Sequence, residues 1–345
     1  METMIDGYRI YPGEHCGSSS MRGLLEHYCG LKLPEDAVFG LAAGLDCGFF
    51  DSDAMDPPIG VFGRTASLEQ DLGQHLQIDY REQTEDDDAH AWSQVREEVL
   101  AGRPTMLSGD ILYLDYREYK VHFPGHRFVL LGFDDAIEKA FIADRIRDIP
   151  EACSYGALAL SRNPPEGLST QNLWGRFYGT EVGRDLVSAV RIAIESCAHR
   201  MLGQSADQAA TEIQIPGDRK PANGIAGIRA FASSLPTWGQ REDARWVASF
   251  NSRCIEKFGN GGGNFRRLYA GFLAWAYELD PQRVPNDASA LATQAADGWT
   301  GISEMLAQAA RGEAAEDVWD QAARQADAVA DIEEALFRSL AACGA

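Results

Sequence analysis

Cys16 lies in the stretch Tyr11-Pro12-Gly13-Glu14-His15-Cys16-Gly17-Ser18-Ser19-Ser20, directly ahead of an amphipathic segment. Met21, Leu24, Leu25 and Tyr28 recur at i, i+3, i+4, i+7, and Ser18, Ser19 and Ser20 are capping types, so a helix is expected to start here. The unpaired N–H groups and the dipole of a helix start lower the pKa of a thiol placed there. Cys16 is therefore a candidate thiolate nucleophile. Such a group needs a base, and the base needs something to orient it. His126 leads into the strand-like run Arg127 to Gly132, and beyond Asp134-Asp135 the chain returns through Lys139 to Ala143 and reaches Asp144. If these runs form a hairpin turning near residue 135 or 136, His126 and Asp144 lie roughly opposite each other, close enough for a carboxylate to hold an imidazole. A one-residue slip would turn them to opposite faces. In this arrangement His126 takes the Cys16 proton, Asp144 fixes the ring, and the Cys16 or Gly17 N–H faces an oxyanion.

Other residues are candidates for contact with a substrate: His15, Gly17 and Ser18 around the thiol, and Asp110, Tyr113 and His122 further along. Asp110, Tyr113, Asp115 and Tyr116 are expected along a strand adjoining the hairpin, where carboxylates suit an ammonium; solvated strand ends are the plainer explanation. His122 and His126 form HxxxH and with His15 and Cys16 suggest zinc, yet Pro124-Gly125 prevents the helix that puts an i, i+4 pair on one face. No metal and no bound cofactor are expected. Cys29, Cys47, Cys153, Cys197, Cys254 and Cys343 lack any such context and read as core or bystander thiols. Asp144 has its own bland alternatives, ending a strand or pairing with Arg145. Gly259-Asn260-Gly261-Gly262-Gly263-Asn264 precedes a helix beginning Phe265-Arg266-Arg267. It reads as a phosphate cradle or as a tight turn where glycine allows positive φ, and it lacks the Lys-Ser/Thr of a P-loop. Glu256, just ahead of it, reads as a cap or a solvated side chain.

The elements that position these groups are legible in outline. A chain of 345 residues suggests two domains. Residues 8–165 mix short helices with strands: an acidic break at Thr84 to Asp88, a helix over Trp92 to Leu100, then β-type runs at Thr105 to Leu114, Arg127 to Gly132 and Ala140 to Ala143. Beyond residue 165 no clear strand run is expected. Residues 166–223 read as a connector holding one helix, Asp185 to Leu202, with a polar stretch at Gly203 to Asn223. Residues 224–345 read as all helix: Gly224 to Leu235, Glu242 to Phe258, Phe265 to Leu279, Ala288 to Arg311 and Ala314 to Ala342. The fold class is α+β followed by an all-α domain. A formal charge of -21 without a basic cluster excludes nucleic acid as a partner. No run of about 18 apolar residues predicts a membrane span. Seven irregularly spaced cysteines and an N-terminus without a secretory pattern predict free thiols and a cytoplasmic location.

At these residues the sequence resembles a known family, that of butirosin biosynthesis protein H. Residues 11–165 are similar to its N-terminal domain through GEHCGSSSMRGLL around the thiol, VFGLAAGL at 38–45, GRPTMLSGDILYLDY at 102–116, HFPGHRFVLLGFDD at 122–135 and IADR at 142–145. The segments NGIAGIRAFASSLPTW and IEKFGNGGGNFRRLYAGFL resemble the helical domain that commonly follows, so coverage is nearly the whole chain. The resemblance implies a papain-like fold and acyl transfer from a carrier-protein thioester to an amine in secondary metabolism. By that analogy Cys16 takes the acyl group from phosphopantetheine, His126 shuttles the proton and Asp144 orients His126. The expected partners are an acyl carrier protein and a small amine acceptor. An acidic protein needs a local basic patch to dock an acidic carrier, and Arg64, Arg117, Lys120, Arg145 and Arg147 are the candidates. The same three residues with water as acceptor make a thioesterase or peptidase, and with an internal nucleophile a cyclase. A non-catalytic binding protein of this fold is the alternative from a different class.

Overall fold

The apolar run Arg127 to Phe133 becomes the central strand of an antiparallel sheet. In the computed structural model, which describes residues 1–120, 122–166, 169–204, 215, 217 and 222–344, that strand is β6, His126–Asp134. It is buried along nearly its whole length, as a near-continuous apolar stretch requires. The order is β4 (Tyr80–Gln83), β9 (Trp174–Phe177), β5 (Thr105–Gly109), β6, β7 (Lys139–Ala143), β8 (Glu151–Ser154). A short β1 (Glu2–Met4) pairs with the far end of β6, opposite Gly132 to Asp134. Helix α1 (Cys16–Cys29) and the helix Asp88–Leu100 pack on this sheet. Ile5, Val95, Val99, Leu107, Phe128, Leu130, Phe133, Ile142 and Trp174 form one core cluster.

The strands Glu2–Met4, Leu45–Asp51, Ile59–Arg64, Tyr80–Gln83 and Glu151–Ser154 are not among the β runs expected from the sequence, and two further differences touch the candidate site and the sheet beside it. The run from Thr105 ends as a strand at Gly109, because the Asp110 carboxylate accepts the Leu112 N–H and starts a 3-10 turn, Ile111–Tyr113. Asp110 and Tyr113 therefore lie beyond the strand rather than along it. Conversely β9 exists beyond residue 165, pairing with β4 and β5; four residues that include Gly175 and Arg176 offered no alternation to read. The acidic break before residue 88 works as a cap, with Asp87 Oδ1 accepting the His90 N–H.

The sheet belongs to a unit made of Met1–Glu35 and Gln77–Gly183; a second unit is made of Asp36–Leu76 and Arg184–Ala345. The second carries the hairpin of β2 (Leu45–Asp51) with β3 (Ile59–Arg64) and the helices Leu186–Met201, Gly224–Ser234, Ala244–Glu256, Arg266–Leu279, Ala288–Arg311 and Val318–Gly344. These helices match the expected ones closely, and Ala288–Arg311 does so to the residue. The linear division at residues 165 and 223 does not describe the contacts, since residues 36–76 join the helical unit through packing such as Gly40 on Phe272 and Val61 N–H on Asn251. Most of the polar stretch expected at 203–223 lies outside the described residues.

Candidate active site

Helix α1 begins at Cys16 itself, and its cap is His15, not a serine: His15 Nδ1 accepts the Ser18 N–H at 3.2 Å. The Ser19 N–H is taken by the His15 carbonyl at 3.0 Å. Of the helix's first N–H groups this leaves those of Cys16 and Gly17 with no partner among the described residues. The loop ahead of the helix is tied to the far end of β7. Gly13 N–H donates to the Arg145 carbonyl at 2.7 Å, and Arg145 Nη1 donates back to the Gly13 carbonyl at 3.3 Å. That clamp carries residue 16 to the neighbourhood of residue 144.

A bulge in β6 decides the register that matters. From Asp134 to Gly132 the strand pairs with Lys139 to Phe141, but past the bulge Leu130 pairs with Ile142 and Val129 with Ala143. One further step sets Asp144 against Phe128, on the face that also carries His126 two residues on. Continued without the bulge, the first register would set Asp144 against Val129, on the other face. His126 Nε2 donates to Asp144 Oδ1 at 3.1 Å, which leaves Nδ1 for the sulfur of Cys16, whose thiol and this ring shift each other's pKa. Asp144 also accepts the Tyr116 hydroxyl at 3.0 Å and the Arg145 N–H at 2.7 Å, and its Oδ2 lies 3.7 Å from Arg117 Nη2.

The electrostatics follow from that geometry. Burial alone raises the Cys16 thiol pKa, but His15 and His126 overcome it and hold it well below the ordinary thiol value. Burial lowers that of His126, while the Asp144 charge and hydrogen bond and the Cys16 sulfur raise it to about 9. Asp144, despite its burial, stays below the usual carboxylate range beside the His126 imidazolium and the Arg117 guanidinium. At neutral pH the arrangement is a thiolate–imidazolium pair. Cys16 is only 5 % exposed, and two imidazoles, those of His15 and His126, act on its thiol. By contrast burial pushes the Cys153 thiol up to about 12 and that of Cys197 to about 11.

The remaining candidates part company. Ser18 Oγ turns to Glu35 Oε1 at 2.8 Å. Asp110 is spent on its own loop: Oδ1 accepts the N–H groups of Leu112 and Phe123, and Oδ2 accepts His122 Nδ1 at 2.7 Å. Its carboxylate is thus committed, and the ring of Tyr113 meets that of the exposed His122 edge-on at 6.1 Å. The HxxxH pair is split, one ring on Asp110 and the other on Asp144. The expected basic patch is also broken up. Arg117 is largely buried between Asp144 and Glu151, Arg147 pairs with Glu151, Arg145 clamps Gly13, and Arg64 belongs to the other unit. In the second unit Arg266 is buried against Glu333 at 2.7 Å and Arg267 pairs with Asp297 at 3.1 Å. The Gly263 N–H there binds Glu256 at 3.0 Å, so the glycine turn spends its donor on its own carboxylate, and its backbone runs at positive φ from Gly261 through Phe265. Sequence reasoning missed Glu35, Tyr116 and Arg117 as supports of the site. The first is remote from Cys16, and the other two sit in a loop whose fold carries no periodic signal.

Residues 15–145 match the family described as butirosin biosynthesis protein H, N-terminal. Residues 168–340, half of the chain, match a domain of unknown function, DUF4872. No curated protein matches the chain.

Proposed function

The chain belongs to the DUF4872 family and carries ahead of that domain the N-terminal domain of butirosin biosynthesis protein H, and on this premise we propose that it is a biosynthetic enzyme that transfers acyl groups through Cys16. One observation carries the reading: a cysteine at a helix start, its thiol held low by an imidazole that a buried carboxylate holds from behind. The fold we propose is papain-like, a thiol-bearing helix packed on an antiparallel sheet that supplies the base.

In the first half-reaction the Cys16 thiolate attacks the carbonyl of an acyl thioester presented on the phosphopantetheine of a carrier protein. The oxyanion of the tetrahedral intermediate lies where the Cys16 and Gly17 N–H groups point. The carbon–sulfur bond to the carrier breaks, His126 gives its proton to the departing thiolate, and an acyl–Cys16 thioester remains. In the second half a small amine attacks that thioester. Its proton passes to His126, Cys16 leaves as thiolate, and an amide is released. Asp144 keeps its charge throughout and fixes the ring.

Intact-mass measurement after mixing the protein with an acyl-carrier thioester tests this. An adduct of the acyl mass that persists until an amine is added, and is absent in Cys16→Ala, is the expected result. Free acid released rapidly without amine makes the enzyme a hydrolase, and the absence of any adduct removes the acyl-enzyme altogether.

A further inference from the structure

The sulfur has two imidazole neighbours, and only His126 has a part in the reaction above. His15 is buried, precedes Cys16 as the cap of the helix that Cys16 begins, and helps hold its thiol low. Its Nδ1 accepts the Ser18 N–H at 3.2 Å, so in the neutral ring the proton sits on Nε2. Ser18 Oγ stands 3.1 Å from the same Nδ1 but sends its one proton to Glu35 Oε1 at 2.8 Å. Glu35 gathers the whole turn. Oε1 also accepts the His15 N–H at 2.8 Å and the Ser19 hydroxyl at 3.0 Å, and Oε2 accepts the Glu14 N–H at 2.8 Å. Four donors thus satisfy this buried carboxylate. Gly13 leaves room for this cradle, since a Cβ there would stand 2.0 Å from Ser19 Oγ and 2.5 Å from Glu35 Oε2.

We propose that His15 is a second imidazole of the site, a catalytic residue donating from Nε2 to the Cys16 sulfur, and that Glu35 is the positioning residue that holds it through the His15 N–H and the Ser18 hydroxyl. The two rings divide the work. His126, backed by Asp144 with Tyr116 and Arg117 behind it, gives and takes a proton in each half-reaction. His15 spends Nδ1 on capping the helix, so it keeps its proton and serves as a fixed donor to the sulfur. The inference rests on the reading of Cys16 as the nucleophile.

The test is the pH dependence of Cys16 alkylation by iodoacetamide in the unsubstituted protein and in His15→Asn. Asparagine caps a helix as well as any residue but is too short to bring a donor to where Nε2 stands. The acid limb of the profile is expected to move up by about one pH unit, so that on that limb the rate falls about tenfold, with the thermal melt preserved. Coincident profiles with a preserved melt overturn the proposal. Should His15→Asn not fold, ¹⁵N spectra of the histidine rings in the unsubstituted protein decide: a protonated His15 Nε2 whose signal shifts when Cys16 is alkylated supports it. A proton on Nδ1, or a ring indifferent to alkylation, sinks it. A Cys16 no more reactive than the other thiols would instead remove the nucleophile reading itself, which keeps the two failures apart.

Discussion

At the scale of the residue, the site is a chain of polar groups, each of which holds the next. Arg117 and the Tyr116 hydroxyl hold Asp144, Asp144 holds His126, and His126 with His15 holds the sulfur. Removing a link should cost in proportion to its nearness to the sulfur. His126→Ala is expected to lower acyl transfer by on the order of 10²–10⁴-fold, the range for a lost general acid–base group. Tyr116→Phe deletes one of the hydrogen bonds that hold the Asp144 carboxylate, and a loss of roughly tenfold in kcat/KM is expected together with a lowered melting temperature. The pH profile follows from the direction of each shift. Because the thiol is held low and the imidazole is raised to about 9, the ion pair persists across neutrality. Turnover should therefore be flat there and fall as pH rises past about 9, where His126 has no proton left for the departing thiolate. A profile of kcat/KM that instead rises through pH 8 to 9 would mean an ordinary thiol. Part of this convergence of groups was legible in the sequence. Cys16, His126 and Asp144 are in reach of sequence reasoning because each stands beside a recognisable element, whereas Glu35 has no local pattern that ties it to a turn twenty residues earlier.

At the scale of the element, two local features bring the three groups together. One is the helix start at Cys16, built on a histidine cap and a glutamate cradle; the other is the bulge that turns Asp144 to the face of His126. Gly13→Ala is expected to push into Ser19 and Glu35, lowering both the melting temperature and the alkylation rate of Cys16. Asp87→Ala is a useful contrast, because it removes the cap of Asp88–Leu100 and should cost about 1 kcal/mol of stability without changing Cys16 reactivity. Amphipathic spacing made the long helices readable, and the apolar run made β6 readable. The bulge was not, since nothing in Leu130-Leu131-Gly132 announces that one residue stands outside the ladder. The 3-10 turn at Asp110 and the four-residue β9 escaped for the related reason that tertiary pairing rather than composition defines them.

At the scale of the whole molecule, the chain is interleaved in a way that composition cannot report. The segment 36–76 lies early in the sequence but takes its packing partners from helices more than a hundred residues later. A chain cut after residue 165 leaves Val61 and Gly40 without Asn251 and Phe272, and it is expected to aggregate or to melt without cooperativity. The helical unit is organised around Arg266, whose guanidinium grips Glu333 while Trp299 donates to the same carboxylate at 2.9 Å. Glu333→Ala strands that charge and should cost about 3–5 kcal/mol in chemical denaturation. Across the molecule the seven cysteines offer the most direct trial of the central claim. Cys29, Cys254 and Cys343 are each more exposed than Cys16, so accessibility and activation favour different thiols. Brief iodoacetamide treatment near neutral pH, with the label mapped by peptide mass, should find Cys16 modified ahead of the other six and find that lead abolished in His126→Ala. Labelling that follows exposure, with Cys29, Cys254 or Cys343 first and Cys16 last, would contradict the account.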